Sequence, residues 1–274
     1  MPRINVNTLT IYYEIHGQGI PLIMIRGIGS NADHWYKQVP VMAKKYRVLV
    51  FDNRGIARSS DNGEEFSIGD MATDTLCLMD ALKIDEAHIL GLSMGGMVAQ
   101  EIAITRPERV LGLILACTHP GGSKQIRPTN QAFKLFSEFI RKRSQDSWLK
   151  AAPFIFDQHT LSKRPNLVSE YIEKSRKYSA DSDILLRQWR AILTHDTYSR
   201  LGKIKSPTLV LTGDRDVLIP TENSKLLAKK IPQSRLIVIP GGGHQILVEQ
   251  PELFNHAILN FLNGLCGLHN EPQL

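Results

Sequence analysis

Ser93 stands in Gly91-Leu92-Ser93-Met94-Gly95-Gly96, between an apolar β-rich run and a stretch with helical spacing. This is a G-x-S-x-G nucleophile elbow. A serine on a sharp strand-to-helix turn projects its hydroxyl from the edge of a sheet. Glycines at 91 and 95 leave room for strand and helix to approach on either side. The helix N-terminus behind the serine favours developing negative charge. The chemistry such a residue offers is nucleophilic attack on an acyl carbon.

A serine hydroxyl needs a base to take its proton, and the base needs a carboxylate to orient it. Chain order Ser, Asp, His matches this kind of elbow. Of nine histidines, His244 stands out because it follows a β-rich run in the flexible loop Pro240-Gly241-Gly242-Gly243-His244. His16 and His34 come too early, His119 precedes a long helical segment, and His256 and His269 lie in or beyond the last helix. The carboxylate comes from Gly213-Asp214-Arg215-Asp216, another loop after a β-rich run. Asp216 is further out and followed by an apolar stretch closed by Pro220. Asp214 then serves the turn or pairs with Arg215. Spacing alone separates the two weakly. For the oxyanion, the expected donors are the backbone N–H groups of Met94, the residue after the nucleophile, and Ile28, in the glycine-containing loop Arg26-Gly27-Ile28-Gly29.

These residues need a scaffold that brings distant loops to one edge. Thr8–Ile15 reads as an alternating strand ending in a turn, and apolar runs at Pro21–Ile25, Tyr46–Phe51, His88–Gly91, Val110–Ala116, Thr208–Thr212 and Arg235–Ile239 alternate with helical patterns at Ile68–Leu82, Met94–Ile104, Glu222–Ile231 and Pro251–Leu262. Runs without polar alternation predict strands covered on both faces, as in a parallel sheet flanked by helices. Residues 121–205 break the alternation. Amphipathic stretches at Phe133–Arg141, Trp148–Phe156, Leu167–Lys177 and Ile184–Leu193 predict a helical insertion, which either gates the site as a lid or is a fixed subdomain. The expected organisation is a core of residues 1–120 and 206–274 with a helical cap at 121–205.

With these motifs in order, the chain resembles the α/β-hydrolase superfamily, in its capped esterase, lactonase and C–C hydrolase branch, and is enol-lactonase-like. Asp52-Asn53-Arg54-Gly55-Ile56-Ala57-Arg58-Ser59 and Glu249-Gln250-Pro251 add to the likeness, which spans nearly all of the chain outside the cap and the tail. The resemblance implies an α/β fold with a mostly parallel eight-stranded sheet and a cap inserted after the sixth strand. It favours Asp216 over Asp214 and implies a carboxylic ester or lactone as the small-molecule substrate, with no cofactor and no metal. The same triad would also serve C–C bond hydrolysis or cofactor-free haloperoxidase or perhydrolase chemistry. A non-catalytic small-ligand receptor on the same scaffold is the alternative of another class.

Two departures stand out. Arg26 occupies a position where the family usually has histidine. It is expected either to pair with a nearby carboxylate or to help hold an anionic substrate. Ala57 replaces a common glycine in a structural turn. Arg26, Gly27, Trp148 and Trp189 are the candidate substrate-binding residues. Phe133, Phe136, Phe139, Phe154 and Phe156 add aromatic surface in the cap, and Trp35 is expected to anchor its own segment against the core rather than line the pocket. Small to medium apolar substrates are expected rather than long lipids.

Composition narrows the remaining classes. The chain has 274 residues, 42% hydrophobic and 22% charged, with net charge +6. The charge is thinly spread, and Arg141-Lys142-Arg143 and Lys229-Lys230 fit solvated helix faces, so no nucleic-acid partner is expected. Cys77, Cys117 and Cys266 are too far apart in sequence for a disulfide framework or zinc site, and Cys77 and Cys117 read as buried thiols. No apolar run is long enough to span a bilayer and no signal-peptide pattern is visible. The expectation is a cytoplasmic monomer or homodimer that does not engage membranes.

Overall fold

In the computed structural model, residues 2–142, 144–178 and 180–268 are described, with the side chains of 266–268 excepted. Arg143, the side chain of Cys266 and the tail from residue 269 lie outside the described residues. Eight strands form one sheet: β1 Arg3–Val6, β2 Leu9–His16, β3 Pro21–Ile25, β4 Arg47–Phe51, β5 Ala87–Leu92, β6 Val110–Ala116, β7 Thr208–Gly213 and β8 Ser234–Ile239. Their spatial order is β1-β2-β4-β3-β5-β6-β7-β8. The β1/β2 and β2/β4 pairs are antiparallel and all others parallel.

The helices are α1 Val39–Met42, α2 Ile68–Ala81, α3 Met94–Thr105, α4 Asn130–Lys142, α5 Gln145–Ile155, α6 Gln158–Lys163, α7 Pro165–Lys177, α8 Ser182–Thr194, α9 Thr221–Lys230, α10 Ile246–Glu249 and α11 Pro251–Leu268. Helices α2, α3 and α9 form one layer, while α1 and α11 pack together on the other. Central strands β5 and β7 are buried throughout and β6 at all positions but Leu111, so their apolar runs show no alternation. β8 differs from the expectation of a buried strand. It closes the sheet edge, and its outer positions stay partly exposed. The four-residue β1 and the short, polar α6, N-capped by Asp157, have no counterpart in the sequence reading. Both are too short to show a period.

Helices α4 to α8 lie between β6 and β7. α8 is tied to the loop before α2 through Arg187, which pairs with Asp61 and donates to the Glu64 carbonyl at 2.8 Å. The junction of α5 and α6 is tied to the loop after β8: Gln245 N–H donates to Ile155 O at 3.1 Å, and Asp157 N–H donates to Glu249 at 2.8 Å. None of the described helices is long and apolar enough to cross a membrane.

The chain folds so that β3 and β5 are neighbours, Ile25 opposite Gly91, although β4 lies between them in sequence on the far side of β3. The connections therefore leave this pair in opposite directions. A crevice opens outside the carboxyl ends of the two strands, the usual ligand position in an open α/β sheet.

Candidate active site

Ser93 sits at that crevice, between β5 and α3, with φ 57° and ψ −120°. A non-glycine residue in this region carries about 1–3 kcal/mol of strain and needs surroundings that hold it. Ser93 N–H donates to Ala116 O at 2.9 Å, and Thr118 Oγ donates to Ser93 O at 2.7 Å. The flanking glycines have steric reasons. A Cβ on Gly91 would stand 2.2 Å from Gly95 O, and one on Gly95 would stand 2.1 Å from Ile25 O.

His244 Nε2 lies 3.1 Å from Ser93 Oγ, and its Nδ1 lies 2.8 Å from Asp216 Oδ2. A carboxylate can only accept, so Nδ1 carries the proton and Nε2 is left to accept the serine hydroxyl. Asp216 is 4% exposed, and its Oδ1 accepts the N–H groups of Leu218 and Ile219 at 3.0 and 2.8 Å. The turn that fixes it is thus made by the apolar stretch that follows it. Asp214 lies elsewhere and accepts Gly241 N–H at 2.7 Å, a turn role. Its expected partner Arg215 pairs instead with Asp157 of the cap at 3.2 Å.

Cys117, Asp216 and His244 bring three possible metal-ligand atoms within 4.8 Å of one another. The donor set does not suit an ion. Burial pushes the Cys117 thiol well up, so it stays protonated and donates toward Asp216. The carboxylate is already occupied by two amides and the imidazole. Cys117 is buried as expected, whereas Cys77 is only half-buried.

The loop after β3 passes directly over the serine. A Cβ on Gly27 would lie 3.5 Å from Ser93 Oγ. Three contacts hold this loop: Ser30 N–H donates to Gly27 O, Asn53 Nδ2 donates to Arg26 O, and Gly29 N–H donates to Gln188 Oε1 of α8 at 2.9 Å. Met94 is the first residue of α3, so its N–H has no intrahelical acceptor. Among the described residues, neither Met94 N–H nor Ile28 N–H donates to a backbone acceptor outside the regular elements. Met94 follows Ser93 directly, and Ile28 lines both cavities that Ser93 borders.

Arg26 departs from one of its two expected roles. Among the described residues it forms no ion pair with a carboxylate. It is 1% exposed, with its guanidinium 4.9 Å over the Trp35 ring and a long contact of 3.4 Å from Nη2 to Gln245 Oε1. Among the described residues Nε and Nη1 find no hydrogen-bond partner at ordinary distance, and the polar neighbours that face the group are the hydroxyls of Tyr171, the nearer, and Tyr36. Burial pushes the guanidinium below its ordinary range. A buried charge without a counter-ion costs several kcal/mol.

Two cavities meet at the serine. One, of about 140 Å³, is lined by Arg26, Gly27, Trp148, Tyr171 and Gln245 among others. The other, of about 370 Å³, is lined by Phe133, Trp189, Leu193, Leu218 and Ile219 among others. Ser93, Ile28 and Phe136 border both. Trp148 and Trp189 therefore stand on different sides of the nucleophile. Phe139 joins the first cavity, while Phe154 and Phe156 line neither. Trp35 is fully buried and anchors its own segment, as expected. Ala57 holds φ 51°, which explains why glycine is common there. Gln188, Gln245 and Tyr171 were not among the sequence candidates. Gln188 meets the oxyanion loop across 159 residues, a separation that leaves no local pattern.

Two other buried groups border the site. His119 lines the larger cavity, accepts Gly121 N–H at 3.0 Å and is pushed down to about 3 by burial. Glu249, behind the His244 loop, is pushed up to about 7, again by burial.

A family model described as "alpha/beta hydrolase fold" matches residues 20–251. A protein from Azorhizobium caulinodans named "Putative carbamate hydrolase RutD" is 28% identical, over 97% of this chain and 98% of its own. A thermophilic esterase from Thermogutta terrifontis is 27% identical, with TM-score 0.84 over 97% of this chain and 99% of that one. The enol-lactonase of Burkholderia xenovorans superimposes with TM-score 0.85 at 24% identity, over 96% of this chain and all of that one, a likeness of fold.

Proposed function

The chain belongs to the α/β-hydrolase family and is a hydrolytic enzyme, and from that premise we propose that it cleaves a carboxylic ester or lactone of small to medium size through an acyl-enzyme on Ser93. The observation that carries this reading is the continuous line from Ser93 Oγ to His244 and on to Asp216, at 3.1 and 2.8 Å. His244 takes the proton as Oγ attacks the carbonyl carbon. Asp216 holds the ring tautomer and stabilises the imidazolium. The N–H groups of Met94 and Ile28 receive the oxyanion, a contribution worth on the order of 100–1,000-fold in rate per donor. His244 then protonates the leaving group, and water repeats the sequence on the acyl-enzyme. An esterase among the similar solved structures supports the ester reading. A carbamate presents the same acyl carbon to the same attack, so the name of the curated relative is compatible with this machinery. The cavities at the serine hold about 140 and 370 Å³, which supports small to medium substrates.

A fluorophosphonate probe on the folded protein, with the adduct located by mass spectrometry, tests the nucleophile. A panel of esters, lactones and carbamates, run on wild type and Ser93→Ala, tests the bond. Labelling at Ser93 with ester or lactone turnover abolished in Ser93→Ala is expected. An adduct elsewhere, or turnover confined to other bond types, overturns the proposal.

A further inference from the structure

Arg26 is a fully buried charge on the lining of a cavity that Ser93 borders, and among the described residues it has no carboxylate counter-ion. Its surroundings orient it without neutralising it. Trp35 stacks under the guanidinium, Gln245 offers one distant oxygen, and Tyr171 and Tyr36 present hydroxyls. Nε and Nη1 find no hydrogen-bond partner at ordinary distance among the described residues, and the Tyr171 hydroxyl is the polar neighbour nearest to serving as one. Among the described residues that line its cavity none is a carboxylate, and a second arginine, the exposed Arg176, also lines it. A buried guanidinium fork with free donors matches a carboxylate in both charge and geometry.

Among the described residues, the opposite side of the serine carries no buried cation. Phe133, Trp189, Leu193, Leu218 and Ile219 give the larger cavity an apolar stretch of wall, with His119 and the exposed Arg127 elsewhere on its lining. A substrate whose scissile carbonyl sits at Ser93 therefore extends in two directions, one toward a buried cation and one toward apolar surface. Resting on Ser93 as the nucleophile, we propose that the substrate is a carboxylate-bearing ester or lactone, with Arg26 binding that carboxylate in the smaller cavity and the apolar remainder in the larger. Arg26 is then a specificity-determining residue: it neutralises its own buried charge only when an anionic substrate is present.

Two measurements test this. The first compares kcat/KM for matched esters: mono-4-nitrophenyl glutarate against 4-nitrophenyl pentanoate, with the carboxylate on the acyl side, and 4-carboxyphenyl butyrate against phenyl butyrate, with it on the leaving group. Wild type should favour the anionic member of one pair, and in Arg26→Met that preference should fall by about 10- to 100-fold, the worth of hydrogen bonds to a charged group. Equal or lower kcat/KM for the anionic member in both pairs, or a preference unchanged in Arg26→Met, overturns the proposal. The second needs neither turnover nor a folded Arg26 variant. Calorimetric titration of Ser93→Ala should show binding of monomethyl glutarate and at least tenfold weaker binding of dimethyl glutarate. Equal binding of the two, or binding of neither, overturns the proposal. A failure of ester turnover with intact discrimination in Ser93→Ala would count against the ester reading and not against the anion site.

Discussion

The side chain of Gln188, on α8, accepts the backbone N–H of Gly29 at 2.9 Å and so links the inserted helices to the loop that carries Ile28. Gln188 is fully buried, and α8 is held in turn by the Arg187 pair with Asp61. The loop that carries Ile28, the proposed oxyanion donor, is thus held by a residue far from it in sequence. Gln188→Leu keeps the volume and removes the acceptor. Its kcat should fall by about 10- to 100-fold with little change in KM, because a small displacement of a catalytic group costs that much. Steady-state kinetics on an ester substrate reads this directly, and an unchanged kcat would show that the loop is held by its own contacts.

The two aspartates of the loop after β7 should separate cleanly. Asp216→Asn leaves the space filled but no longer favours the tautomer that frees Nε2, and kcat should drop by about 10,000-fold. Asp214→Asn retains an acceptor for Gly241 N–H and should stay within about threefold of wild type. Parallel kinetics on the two variants is the check. A larger loss at 214 than at 216 would reverse the assignment.

Gly91→Ala places a Cβ 2.2 Å from Gly95 O, a backbone atom that cannot move without unmaking the turn. The loss should be about 3 kcal/mol or more, at or above the upper range for overpacking. Gly202→Ala, where nothing lies within 4 Å, is the matched control and should change stability by less than about 0.5 kcal/mol. Urea unfolding midpoints measure both.

Glu249 ties stability to pH. Its folded-state carboxyl is pushed up to about 7, against an ordinary value of 4.5. Between those values the folded chain binds the extra proton, so stability falls as pH rises, and the full penalty is present above pH 7. At 1.36 kcal/mol per unit, the penalty is about 3 kcal/mol. Glu249→Gln should therefore match wild type near pH 4.5 and exceed it by up to that amount at pH 8. His119 and His195, both pushed down to about 3, act in the opposite sense: stability is lost as pH falls below their ordinary value of 6.5. They are common to both proteins and drop out of the difference. Equal unfolding midpoints at pH 8 would show that Glu249 finds relief from its burial.

Much of this architecture is legible along the chain because its causes are local. A run such as Val110–Ala116, apolar at every position, has to be a strand covered on both faces. Gly91 and Gly95 mark a close approach that any side chain would block. The order of Ser93, Asp216 and His244 follows from loops that each succeed a strand. Elements too short to show a period, β1 and α6, leave no such trace, and β8 shows how an apolar run can serve as a half-exposed edge.

Residue type and spacing alone singled out Ser93 and His244 as candidate nucleophile and base, and determined a scaffold of mostly parallel strands that could assemble them. Only the tertiary structure decided what surrounds them: that Arg26 meets Trp35 and Gln245 rather than a carboxylate, that Gln188 holds the oxyanion loop, and that Trp148 and Trp189 face different cavities. The physical reason is separation. The Arg26–Gln245 and Gly29–Gln188 contacts span 219 and 159 residues, and nothing in the local chain distinguishes a glutamine that will meet a distant loop from one that will face water.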